Sequence, residues 1–172
     1  MKHGDFEFER YPAERLHTRS VHSRATAEEK PLRLAILDEM LAQGGPARPA
    51  DAGARIGMDA VTAEALARSM AEKHVIVMDD GAVTYAYPVS GMPTAHRVTL
   101  ADGRTFSSMC AIDGMGTTYT FGQDITLESK CTMCGAPVRV EMSGGEVALA
   151  EPRSLHAVHA DLTAEENWAS SC

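Results

Sequence analysis

The sequence predicts an α+β protein in two parts, helical first and mainly β second. Two observations carry this: three helix-period segments end in a hairpin signature before residue 88, and alternating apolar and polar runs dominate afterwards. In "KPLRLAILDEMLAQGG", Leu32, Ala35, Ile36, Met40 and Leu41 recur at helical spacing. Pro31 suits a first turn there, and Gly44-Gly45 ends the segment. "RPADAGARIGM" reads as a second, short helix. In "DAVTAEALARSMAEKH", Asp59 is an N-cap and Val61, Ala65, Leu66 and Met70 form the apolar stripe. "VIVMDDGAVTYAY" then places a β-branched run, an Asp-Asp-Gly turn and a second β-prone run in a row. Three helices followed by a hairpin is the order of a winged helix.

After the Pro/Gly-marked connector "YPVSGMPTAHRV", the stretch "HRVTLADGRTFSSMCAIDGMG" reads as strand, turn, strand, then a helix or turn starting near Cys110. "DITLESKC" and "PVRVEMSGGEVALAEP" alternate, with Gly144-Gly145 at a turn. "LTAEENWASSC" opens like a helix, with Thr163 and Glu166 at capping-box spacing. The expected organisation is a polar arm over 1–30, a winged-helix-like domain over 31–88 and a mainly β domain over 89–172.

Composition narrows the function. The chain has 172 residues, 44% apolar and 23% charged, which suits one compact domain or two small ones. A formal charge of −8 disfavours nucleic acid as a partner. In the third helix Arg68 and Lys73 are expected to pair with Glu64 and Glu72, which leaves little basic surface for phosphate. No stretch approaches the roughly 20 apolar residues of a spanning helix, and the first twenty residues carry no apolar run. No membrane association is expected, and the expected location is the cytoplasm. There, four cysteines read as thiols, ligands or nucleophiles and not as a disulfide framework.

Cys110 and Asp113 stand three residues apart in "FSSMCAIDGMG". On a helix they would share a face, bringing thiol and carboxyl together around one substrate. A helix start favours the thiolate and a carboxylate opposes it, so the pair suits chemistry in which a thiol gives up a proton that the carboxyl relays. The bland alternative is a packed cysteine, since unpaired cysteines are among the most buried residues. In "CTMCG", Cys131 and Cys134 are half of a structural zinc site that "HAVH" (His156, His159) would complete, although the spacing is looser than in zinc fingers. Otherwise they are a packed and an accessory thiol, since the βαβ context of a redox CxxC is missing. Cys172 is the final residue of the sequence.

The pattern over residues 105–172 resembles the organomercurial (alkylmercury) lyases. "TFSSMCAIDGMG", "ITLESKCTMCGAPVRVEMSGGEV", "AEP" and "ENWASSC" carry the likeness, which is sharpest over 105–140. The resemblance implies a winged-helix-like domain ahead of an alkylmercury-lyase-like catalytic domain. It implies that Cys110 attacks mercury, that Cys172 completes a dithiolate, and that Asp113 protonates the leaving carbon. Cys110 and Cys172 would thus be the mercury ligands. Cys131 corresponds to a buried cysteine of the family, 21 residues after Cys110, and Cys134 is an addition to the pattern. Gly114 and Gly116 would let the backbone approach the substrate. The implied substrate is an organomercurial, and the product ion would pass to a small thiol or a mercuric reductase. No organic cofactor is required. The chemistry agrees with the residue types, because mercury(II) is soft and paired thiolates are the protein's soft donors.

Two other readings accompany the lyase. One is a carrier of mercury or another soft metal that kept the thiols without the catalysis. The other is a metal-sensing winged-helix regulator. Family members continue past their second cysteine, so the gene is expected to run beyond Cys172. One route is a UGA codon read in the cell as selenocysteine.

Overall fold

The structure is a computed structural model and describes residues 21–157. A short helix α1 (Val21–Arg24) leads into α2 (Glu29–Gln43), α3 (Pro49–Arg55) and α4 (Ala60–Glu72). Strands β1 (Ile76–Asp79), β2 (Ala82–Ala86), β3 (Val89–Ser90), β4 (Arg97–Leu100) and β5 (Thr105–Ser108) follow. Helix α5 (Ala111–Phe121) then precedes β6 (Ile125–Lys130), β7 (Pro137–Ser143) and β8 (Glu146–Glu151).

Local chemistry explains the element ends. Helix α2 stops at Gly44, whose φ of 68° suits the left-handed cap and whose N–H bonds the Met40 carbonyl. Helix α4 starts at Asp59, whose carboxylate accepts the Thr62 N–H at 3.0 Å. The β1–β2 hairpin turns at Asp80 and Gly81, both with positive φ. The apolar face of α4 differs from the expected stripe. Ala63, Ala67 and Met70 are buried, whereas Val61 is 77% exposed and Ala65 lies on the outside. Small residues win this face because α3 comes very close: a Cβ added at Gly53 would lie 2.7 Å from the Ala63 Cβ. Arg68 reaches Glu64 at 3.8 Å, but Lys73 turns inward to the buried Glu29 at 2.7 Å instead of pairing with Glu72.

Among the described residues, the eight strands form one antiparallel sheet in the order β1-β2-β3-β5-β4-β6-β7-β8. The connector therefore contains a strand. Val89 and Ser90 pair with Ala86 and Tyr85 on one side and with Ser108 and Ser107 on the other. That two-residue strand is too short for periodicity to reveal. One core cluster lies under the helices (Leu32, Ile36, Leu37, Met40, Met70, Val83) and another under α5 (Val98, Leu100, Ile125, Leu127, Val140). Leu41, Phe106 and Phe121 pack against both. Among the described residues, no helix is long and apolar enough to cross a membrane.

Candidate active site at the start of helix α5

Cys110 is the N-cap of α5, in extended conformation (φ −142°, ψ 178°). Its Sγ accepts the Asp113 N–H at 3.4 Å. The Asp113 carboxylate reaches back to the Cys110 backbone N–H and also bonds the Cys110 thiol. This is the reciprocal geometry of a capping box, with cysteine in the place of serine or threonine. Thiol and carboxyl thus meet through N-cap and N3 positions, although Cys110 itself lies outside the helix. The Asp113 N–H at the helix start thus points at the sulfur, an arrangement that favours an anion there.

Two neighbours fix this corner. Ser108, fully buried at the end of β5, donates to the Cys110 carbonyl at 3.0 Å. The first turn of α5 lies flat on the sheet because Gly114 has no side chain: a Cβ there would sit 2.8 Å from Leu127 Cδ1 and 2.9 Å from Ser108 Oγ. At Gly116 a Cβ would come within 2.5 Å of the Tyr87 hydroxyl. The space beside both glycines is therefore filled by protein, which corrects the expectation that they open the backbone to substrate. Gly114→Ala should push the helix off the sheet and cost about 1–3 kcal/mol of stability, read in a denaturant melt.

Asp113 is only 8% exposed. Burial pushes its carboxyl up to about 6, against the opposing pull of its hydrogen bonds to the Cys110 thiol and backbone. Tyr87 is held up to about 12, chiefly by burial and then by the Asp113 charge, with Cys110 adding a smaller effect in the same direction. Its phenol therefore stays protonated throughout the physiological range. Arg33 lies 6.0 Å above the Tyr87 ring and donates to the Tyr87 carbonyl. It is buried, with its Nε unpartnered. Sequence reasoning missed both residues. A signal for Arg33 existed: it occupies the same helical stripe as Leu37 and Met40, a buried position for a charged residue.

Cys131 lies in the turn after β6, half-exposed, and Cys134 is exposed. The expected burial of Cys131 is corrected: strand β6 ends at Lys130, so the cysteine leaves the sheet before the core can cover it. Hydrogen bonds from the Cys134 and Met133 backbone N–H groups and from the Cys134 side chain hold its thiol below the usual range. Cys172, His159 and the Thr163–Glu166 pair lie outside the described residues. Among the described residues, no group of three or more His, Cys, Asp or Glu is placed to hold a metal ion.

Fold and site together define an α+β protein with a cysteine–carboxyl pair at a helix start. Residues 89–172 match the alkylmercury lyase family (MerB). A solved structure, the mercury-bound form of MerB2, shares the fold with a TM-score of 0.61 and 23% identity over 78% of this chain. The chain spans 65% of that structure's length. Comparison with curated proteins gave no match.

Proposed function

We propose that the protein cleaves carbon–mercury bonds by protonolysis, releasing a hydrocarbon and mercury(II). The observation that carries this reading is the Cys110–Asp113 capping box, a soft nucleophile hydrogen-bonded to a buried carboxyl whose proton affinity lies near neutrality. In this scheme the substrate is an organomercury thiolate. The Cys110 thiol passes its proton to Asp113 as its sulfur displaces the thiolate on mercury. Cys172 adds the second sulfur, and its proton leaves with the displaced thiolate. Two thiolates raise the electron density on the bound carbon. Asp113 then gives its proton to that carbon while the carbon–mercury bond breaks, and the electron pair stays with carbon. One hydrocarbon, one free thiol and a mercury(II) dithiolate result.

An Asp113 carboxyl that titrates at about 6 is suited to both halves of the relay at neutral pH. The buried phenol of Tyr87 closes the site beside the helix without adding charge. The test is incubation of the full chain with phenylmercury and excess monothiol. Benzene release with turnover supports the lyase, whereas stoichiometric mercury capture without benzene supports the carrier. Product hand-over to a small thiol or a mercuric reductase belongs to the same proposal, as does a cytoplasmic location.

A further inference from the structure

The Cys131–Cys134 turn has no role in the chemistry above, yet it is built like a ligand site. The Cys131 N–H bonds the Ala136 carbonyl at 2.8 Å, and the Gly135 N–H bonds the Cys131 carbonyl at 2.8 Å. Gly135 at φ 71° allows the chain to fold back. Inside this loop the backbone N–H groups of Met133 and Cys134 point at Cys131 Sγ, and the Cys134 thiol is within hydrogen-bonding reach of it. Two sulfurs are thus held together in the free protein. The pair is open to solvent on one side: Cys131 is half-exposed, Cys134 is exposed and the intervening Met133 is 92% exposed. A turn whose only task was to join β6 to β7 would have no use for two facing thiols and a bare thioether.

The sheet register places this turn beside the active corner. Ser107 of β5 pairs with Arg97 of β4, which pairs with Glu128 of β6, so the C-terminal ends of β5 and β6 lie at the same end of the sheet. Cys110 follows one of those ends and Cys131 the other. His96 joins the two, its carbonyl accepting the Ser108 N–H at 2.9 Å and its Nδ1 bonding the Ser129 hydroxyl at 2.8 Å. Two strand spacings separate β5 from β6, on the order of 10 Å.

We propose that Cys131 and Cys134 form a second, two-thiolate site for a soft two-coordinate metal ion, mercury(II) foremost. The donor count sets the selectivity. Zinc in a structural site takes four ligands, and no third one stands here among the described residues, whereas mercury(II) is satisfied by two thiolates. Loading is ligand exchange without redox change. Each protein thiol gives its proton to a departing thiolate, two sulfur–mercury bonds break and two form. The second exchange is intramolecular, so the pair outcompetes monothiols. That the ion arrives from the Cys110 centre rests on the lyase reading, while the site itself does not.

The test uses the full chain with Cys110→Ser and Cys172→Ser, titrated with mercuric ion in excess monothiol and then desalted. One equivalent of mercury should remain, with sulfur-to-mercury charge-transfer absorption. Adding Cys134→Ser should lower the retained metal at least about tenfold, because chelation is lost. Equal retention with and without Cys134, or no retention in either, overturns the site. So does an equivalent of zinc in the protein as isolated that is lost in Cys134→Ser. Benzene release is followed separately in the protein with all cysteines present. If that protein retains mercury through Cys134 but makes no benzene, the lyase reading fails and the site stands.

Discussion

Cys110→Ser is expected to abolish carbon–mercury cleavage, lowering turnover by at least about a thousandfold. Serine is nearly the same size, and it is a preferred N-cap, so α5 should keep its start and the fold its stability. What disappears is the soft donor. A hydroxyl is scarcely ionised at neutral pH, and its oxygen is a poor match for mercury. The measurement pairs benzene release with a thermal melt. Lost turnover with an unchanged or higher melting temperature assigns the sulfur to chemistry. Full turnover in this variant would sink the nucleophile assignment.

Asp113→Asn should have two opposite effects. Turnover should fall roughly 10²- to 10⁴-fold, the usual range for loss of a positioned proton carrier. Stability should rise, and the sign follows from linkage. The carboxyl titrates near 3.8 as an unperturbed group and at about 6 in the fold. Between those values the native state binds more protons than the unfolded one, so stability falls as pH rises from about 4 to 6 and is flat above. The rise from 3.8 to about 6 corresponds to about 3 kcal/mol, an upper figure for what the neutral amide recovers at pH 8 and does not recover below pH 4. Urea melts at both pH values check this. A variant destabilised equally at pH 4 and pH 8 would mean that the carboxylate serves only as a cap.

The elements that sequence revealed are those with strong local chemistry. Gly44, Asp59, the Asp79–Gly81 turn and the Gly144–Gly145 turn each fix a boundary through backbone dihedrals or capping, and these boundaries match the structure. The Cys-x-x-Asp spacing was legible for the same reason, since a capping box depends only on neighbours in the chain. What sequence could not reveal depends on long-range approach. The burial of Ala63 and Ala67 in place of Val61 follows from Gly53 on another helix. Tyr87 joins the site only because β2 and β3 bring the end of the hairpin to Gly116. Cys131 was expected to be buried because it stands where a strand enters "GAPVRV", and nothing in its neighbours marks the loss of cover. Helices α2 to α4 precede the β1–β2 hairpin, and that hairpin is one side of the large sheet and not a separate wing.

That sharing has a consequence for how such a protein can be inherited. The family match begins at Val89, the first residue of β3, which is hydrogen-bonded on one side to β2 and on the other to β5. A gene fragment copied from that point would encode a sheet with a raw edge, its amides and carbonyls open to any passing strand. The stretch that matches the family and the hydrogen-bonded sheet therefore have different bounds. Recombination that moved residues 89–172 alone would carry off the thiol and the carboxyl while leaving behind Tyr87 and strand β2, which covers the edge of β3.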